Sequence, residues 1–158
     1  NLSDYQGILL SPGPGLPSEA CGQMELIQAA AATHSILGVC LGHQALAEFF
    51  GGRLRRIEHP FHGHDSPIRL TEPDEPFWKG VPNDAVVGRY HSWVVEDTDL
   101  PDCLIPTAWS DDDGVLMAMR HKLLPHYGVQ FHPESIISDC GERLIRNWLD
   151  IATQIRKT

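Results

Sequence analysis

Gly38-Val-Cys-Leu-Gly-His-Gln44, entered from the apolar run Ser35-Ile-Leu37, is the stretch that decides how this chain folds. It sets one cysteine in a G-x-C-x-G frame, the pattern of a nucleophile elbow, in which a strand turns sharply into a helix with the reactive side chain at the apex. Glycines on both sides permit the tight turn, and a cysteine that merely filled a core would not need them. The helix beginning at Leu41 directs its first N–H groups and its positive dipole end at the sulfur. Cys40 is therefore expected to be an acidic, exposed thiol, because thiolate is the attacking species.

The flanking segments alternate in type. Upstream, Tyr5-Gln-Gly-Ile-Leu-Leu10 reads as a buried strand that ends in the stiff loop Ser11-Pro-Gly-Pro-Gly15. After Pro17, Ser18 can cap a helix with Met24, Ile27, Ala30 and Ala31 as apolar positions. Strand, loop, helix, strand, elbow and helix in that order are the grammar of an α/β protein: a three-layer sandwich around a mostly parallel, flavodoxin-like sheet, with function at the strand C-termini. From Arg53 to about His121 the texture becomes antiparallel, with candidate strands at Ser66 to Leu70, Val86 to Val95, Leu104 to Ser110 and Val115 to Arg120. Ser110-Asp-Asp-Asp-Gly114 reads as a solvated hairpin turn; it lacks the downstream Glu of a calcium loop. A last strand, Tyr127 to Phe131, leads into His132-Pro-Glu-Ser135. A helix from about Gly141 puts Leu144, Ile145, Trp148, Leu149, Ala152 and Ile155 on one face.

Composition limits the function. The 158 residues are 42% hydrophobic with a formal net charge of −9, which fits one domain and disfavours nucleic-acid and anionic-membrane partners. No apolar run has the length of a membrane span and no leader pattern is visible, so a cytoplasmic location is expected. Cys21, Cys40, Cys103 and Cys140 form no C-x-x-C pair, and reduced thiols are the simplest reading. His59, His62 and His64 lack a matching acidic or thiolate set, so no metal is expected there. The Gly-Pro loop lacks the Lys-Ser/Thr of a phosphate cradle, and its prolines remove donors.

A cysteine nucleophile needs a base, and the base needs an orienter. His132 and Glu134 leave the end of one apolar strand, and Pro133 between them stiffens the backbone that relates them. Two sources of N–H donors suit a tetrahedral oxyanion: Leu41, directly after the nucleophile, and Gly13 in the Gly-Pro loop. Trp78, Trp109 and Trp148 read as core or half-buried aromatics, and Trp93 lies nearer the site.

Gly38 to Gln44, Gly128-Val-Gln-Phe-His-Pro-Glu-Ser135 and Leu10 to Gly15 together resemble class I glutamine amidotransferases of the Cys-His-Glu kind. Within that group, Ser11 to Gly15, His62-Gly63, Arg89-Tyr-His-Ser-Trp93 and Arg146-Asn-Trp-Leu149 resemble the glutaminase subunits of anthranilate synthase and aminodeoxychorismate synthase, with Gly88 to Val95 tipping toward the former. The resemblance implies glutamine beside Cys40, held by Gly15, Gln44 and the backbone of Ser92 and Trp93, with His91 in a positional role. It also implies ammonia delivery to a chorismate-aminating synthase, no cofactor in this chain, and Mg in the partner. His62-Gly63 would lie near the partner interface. By the same resemblance a strand-helix-strand segment would precede Asn1, and a doubly wound sheet without it is expected to expose apolar edges. Two other readings are a stand-alone γ-glutamyl cysteine hydrolase and a catalytically silent module that regulates a synthase.

Overall fold

A computed structural model describes residues 1–155. Gly7–Leu10 (β1), Ser35–Val39 (β2) and His126–Val129 (β9) form a parallel ladder in the order β1-β2-β9. The sheet continues without a break through antiparallel strands Leu116–His121 (β8), Leu104–Ser110 (β7), His64–Leu70 (β4) and Val86–Arg89 (β5). The parallel core and the antiparallel extension are thus one mixed seven-stranded sheet. β1 is its outer strand among the described residues, with Leu9 exposed. A separate two-stranded antiparallel ladder pairs Leu54–Arg56 (β3) with Trp93–Val95 (β6).

Helices Gln23–Ala30 (α1) and Leu41–Phe49 (α2) cover one face of the sheet, and Gly141–Gln154 (α3) covers the other. The side chains of β2 show why three layers form, since successive residues of a strand point to opposite faces. Ile36 joins Ile27, Ala30, Ala45 and Leu46 in one buried cluster, while Leu37 and Val39 join Leu144, Trp148 and Ala152 in the other. Gly38 faces α2, where an added Cβ would sit 2.4 Å from the Gly42 carbonyl oxygen. Its ladder partner Gly128 makes the same allowance: a Cβ there would sit 2.5 Å from His43 Nδ1. Two adjacent glycines thus let α2 lie unusually close to the strands, which fixes the start of α2 at the tips of β2 and β9.

Several boundaries differ from the sequence expectations for identifiable reasons. Ser18 caps no long helix: Pro17–Glu19 is one 3-10 turn, and α1 starts only after Gly22 breaks the path in a left-handed conformation (φ 85°). Val86 to Val95 is two strands rather than one, because β5 pairs with β4 while β6 pairs with β3, so Tyr90 to Ser92 must cross between sheets. In α3 the buried stripe is Leu144, Trp148 and Ala152, whereas Leu149 is exposed. Asn147 is buried instead, and its amide donates to the carbonyls of Phe77 and Lys79.

Candidate active site

Cys40 sits between β2 and α2 with φ 51° and ψ −100°, the only described non-glycine residue with positive φ. A side chain at such an angle is strained, and the surrounding structure has to enforce it. Its N–H donates to the Val129 carbonyl (2.8 Å), and the Gln44 N–H returns to the Cys40 carbonyl (3.1 Å). The elbow is therefore anchored to the last parallel strand on one side and to the first turn of α2 on the other.

The thiol is buried, not exposed, and burial pushes its pKa up to about 11. The Leu41 N–H and the Gln130 side chain pull it down, and the negative charge of Glu134 pushes it up. The expectation of an acidic thiol thus fails for the unliganded site, because the cost of ionising a group away from water outweighs the N–H groups of the helix. Gln130, which sequence reasoning passed over, donates from Nε2 to Cys40 Sγ (3.6 Å). Gln44 Nε2 in turn donates to Gln130 Oε1 (3.2 Å) and to the Trp93 carbonyl (2.8 Å). Gln44 lines the cleft as expected, but its two donors are engaged within the protein.

His132 and Glu134 follow β9 after Gln130 and Phe131. His132 Nδ1 and Glu134 Oε1 lie 2.7 Å apart. Nδ1 is the donor if the carboxylate is ionised, which leaves the lone pair on Nε2. Nε2 is buried without a hydrogen-bond partner among the described residues. The turn is tied to β5: the His132 N–H donates to the Gly88 carbonyl (3.0 Å), and Ser138 Oγ donates to the His132 carbonyl (2.6 Å) while accepting from the Gly88 N–H (3.0 Å). A Cβ on Gly141 would meet the Pro133 carbonyl at 1.7 Å, so α3 begins directly against this turn.

A cleft of about 260 Å³ opens beside Cys40, lined by Gly13, Gly15, Gln44, Arg56, Ser92 and Trp93 among others. Gly13, in the Gly-Pro loop, and Leu41, the first residue of α2, are neighbours: a Cβ on Gly13 would meet Leu41 Cδ2 at 2.8 Å. Gly15 is left-handed (φ 78°), and Glu19 Oε2 accepts the Leu16 N–H (2.8 Å), which stiffens this loop. Gly13, Gly15, Gln44, Ser92 and Trp93, each expected to bind or polarise a substrate, therefore border one space with Cys40. The Tyr90 to Ser92 crossing supplies another wall, with the Tyr90 ring edge-on to His132 (5.0 Å between centroids) and its hydroxyl 3.1 Å from Ser135 Oγ.

Behind that wall lies a buried network that the sequence did not disclose. Arg89, with no exposed side chain, donates from Nε to His91 Nε2 (3.1 Å), from Nη1 to Ser66 and Ser110 (3.3 and 3.2 Å), and from Nη2 to Asp113 (2.9 Å). Its guanidinium also stacks on Phe61, 3.8 Å from the ring centroid. The hairpin Ser110 to Gly114 is thus more than a solvated turn, since it carries the counter-ion of a buried arginine. Because Nε2 accepts from Arg89, neutral His91 carries its proton on Nδ1. Burial, with Arg89 next, pushes the His91 pKa down to about 3, which disfavours a role for it as the general base near neutral pH. Among the described residues no group of three or more His, Cys, Asp or Glu side chains is arranged to hold a metal ion, and no helix is long and apolar enough to cross a membrane.

The fold and cleft define an α/β protein with a buried elbow cysteine and a histidine-carboxylate pair at the ends of adjacent parallel strands. The chain belongs to the glutamine amidotransferase class-I family, whose model matches residues 1–152. It is 46% identical over 144 residues to an aminodeoxychorismate synthase component 2 of Escherichia coli, covering 91% of this chain and 75% of that one. It is 45% identical over 146 residues to an anthranilate synthase component 2 of Pseudomonas aeruginosa, covering 90% and 72%. A Thermoplasma acidophilum protein assigned to GMP synthase has the same fold, with a TM-score of 0.85 at 26% identity over 99% of this chain and 77% of the other.

Proposed function

We propose that this chain is the glutaminase subunit of a chorismate-aminating synthase, with anthranilate synthase favoured over aminodeoxychorismate synthase. The observation that carries the glutaminase part is the unpartnered Nε2 of His132, oriented by a Glu134 whose charge acts on the elbow cysteine. Family membership and the two component 2 relatives support the synthase part. Their identities are nearly equal, so the pathway preference rests on the resemblance of Gly88 to Val95 alone.

In this reading His132 Nε2 takes the Cys40 proton as sulfur attacks the carboxamide carbon of glutamine. The Leu41 and Gly13 N–H groups receive the oxyanion, and His132 then gives its proton to the departing nitrogen, which leaves as ammonia. Water, deprotonated by the same nitrogen, opens the γ-glutamyl thioester to glutamate and regenerates the thiol. Each proton moves between Cys40, His132 and substrate, so the chain's own side chains complete the cycle without a cofactor; Mg belongs to the synthase partner. A thiol kept protonated by burial fits a glutaminase that stays quiet until substrate and partner engage. The reaction would take place in the cytoplasm.

The test is glutamate release from glutamine by the chain alone, then with the large subunit of each synthase plus chorismate, with Cys40→Ser as control. Stimulation by only the anthranilate synthase partner is the expected result. Full activity without either partner on γ-glutamyl peptides would instead favour a stand-alone hydrolase. Stimulation that survives Cys40→Ser would refute the mechanism.

A further inference from the structure

We propose that Arg56 is a specificity-determining residue that selects substrates carrying a free α-carboxylate, by pairing its guanidinium with that group of glutamine. The inference rests on the glutaminase reading and adds to it a residue that reads the far end of the substrate.

Arg53, Arg55 and Arg56 form the one basic cluster of an acidic chain. Two of the three are occupied: Arg53 pairs with Asp99, and Arg55 Nε lies 3.6 Å from Glu96 Oε2. Of the three, Arg56 alone lines the cleft beside Cys40, and no acidic group or hydrogen-bond acceptor among the described residues engages its side chain. None of the residues that line this cleft is Asp or Glu. An unneutralised cation lining a cleft whose walls carry no carboxylate, within a chain of formal charge −9, makes a local site for an anion.

Position adds to charge. Arg56 lies opposite Trp93 in the β3–β6 ladder, and Ser92 and Trp93 border the same cleft. Its side chain is thus set beside the backbone expected to hold the amino-acid end of glutamine. The groups that move the Cys40 pKa are its burial, Leu41, Glu134 and Gln130, and Arg56 is not one of them. We place the Arg56 charge against a part of the substrate remote from the reacting carbon. In glutamine the remote anionic group is the α-carboxylate, separated from the carboxamide by the α-carbon and a pair of methylenes. A planar guanidinium matches a carboxylate in a bidentate fork, which a lysine ammonium does only as a point charge.

The experiment uses the chain in complex with the synthase large subunit and chorismate, and a diazoketone analogue of glutamine that alkylates the nucleophile, offered as the free acid and as its α-methyl ester. Labelling of Cys40 is followed by mass spectrometry, and Cys40→Ser marks the background. The wild-type chain is expected to label faster with the acid than with the ester. Arg56→Met should slow the acid by about fivefold to tenfold, a modest factor because the guanidinium is solvent-accessible, and leave the ester within about twofold. Arg56→Lys should keep part of the preference. Equal slowing of both probes by Arg56→Met, or no change in either, would overturn the assignment. Labelling of wild type without preference for the acid would overturn it while leaving the glutaminase reading intact. No Cys40-dependent labelling by either probe would overturn both.

Discussion

Gln130 Nε2 donates to Cys40 Sγ across 3.6 Å, and Gln44 holds the other end of the Gln130 amide at 3.2 Å. Cys40 is thereby connected through two glutamine side chains to the Trp93 carbonyl, 2.8 Å from Gln44. Cleft wall and sulfur share one hydrogen-bonded chain, so movement of the wall can change the environment of the thiol.

This relationship predicts how Cys40 responds to pH. With its pKa pushed up to about 11, the unliganded thiol is neutral at physiological pH. Thiolate, and with it alkylation by a small uncharged reagent, should rise about tenfold per pH unit between about pH 7 and 9 without a plateau. Gln130→Met removes a donor that favours the anion and should slow alkylation about threefold to tenfold at each pH. A plateau near neutral pH in the wild-type chain would contradict the burial argument.

His132 and Glu134 should differ in the cost of their loss. His132→Ala removes the only proton carrier assigned to the cycle and should lower partner-stimulated glutamate release about a thousandfold. Glu134, whose side chain is 58% exposed, can be partly replaced by water as an orienter, so Glu134→Gln should cost about tenfold. Amination driven by added ammonia should survive in both variants, and a wild-type rate in His132→Ala would remove it as the base.

The glycine pair under α2 predicts a stability defect with a catalytic consequence. Gly128→Ala brings a Cβ to 2.5 Å from His43 Nδ1, and Gly38→Ala brings one to 2.4 Å from a backbone oxygen that cannot swing away. Overpacking of this kind costs about 1 to 3 kcal/mol, with Gly38→Ala at the upper end, and shifts the urea midpoint accordingly. Because α2 carries Leu41 and begins at Cys40, both variants should also alter Cys40 labelling. An unchanged midpoint for Gly38→Ala would show that the helix is not held at this distance.

Buried histidines predict acid sensitivity. Burial lowers the pKa of His43 and His91 to about 3 and that of His126 to about 4, all below the value of an unfolded histidine. Between about pH 6.5 and 4 the unfolded chain binds protons that the native chain refuses, so stability is full above the unfolded pKa and is lost as pH falls. Each histidine should shift the unfolding equilibrium by about tenfold per pH unit in that window. Urea titrations at several pH values check the slope, and His43→Asn should reduce it by the contribution of one proton. A pH-independent midpoint from pH 7 to 5 would contradict it.

Much of this site was legible because its demands on the backbone are local. The glycines around Cys40, the Ser11 to Gly15 loop and the His132-Pro-Glu134 turn each specify a conformation within a few residues, and the structure brings the first two to one cleft whose Tyr90 wall lies against His132. Arg89 and Gln130 were not legible, since nothing near them in sequence announces that Asp113 and Cys40 will be their partners. The only available signals were an arginine ending a β-rich run and a glutamine in an otherwise apolar one. The break between β5 and β6 escaped for a similar reason: alternation is the same whichever partner a strand chooses.

The sequence by itself determined the elbow and the alternation of strands and helices, because turn geometry and hydrophobic period are written in neighbouring residues. Tertiary structure alone decided that burial pushes the Cys40 pKa up, that His132 Nε2 is unpartnered, that a hairpin aspartate pairs with Arg89, and that Arg56 lines the cleft. Those properties depend on desolvation and on contacts between residues far apart in the chain, and neither exists until the sheet and its two helical layers have closed around them.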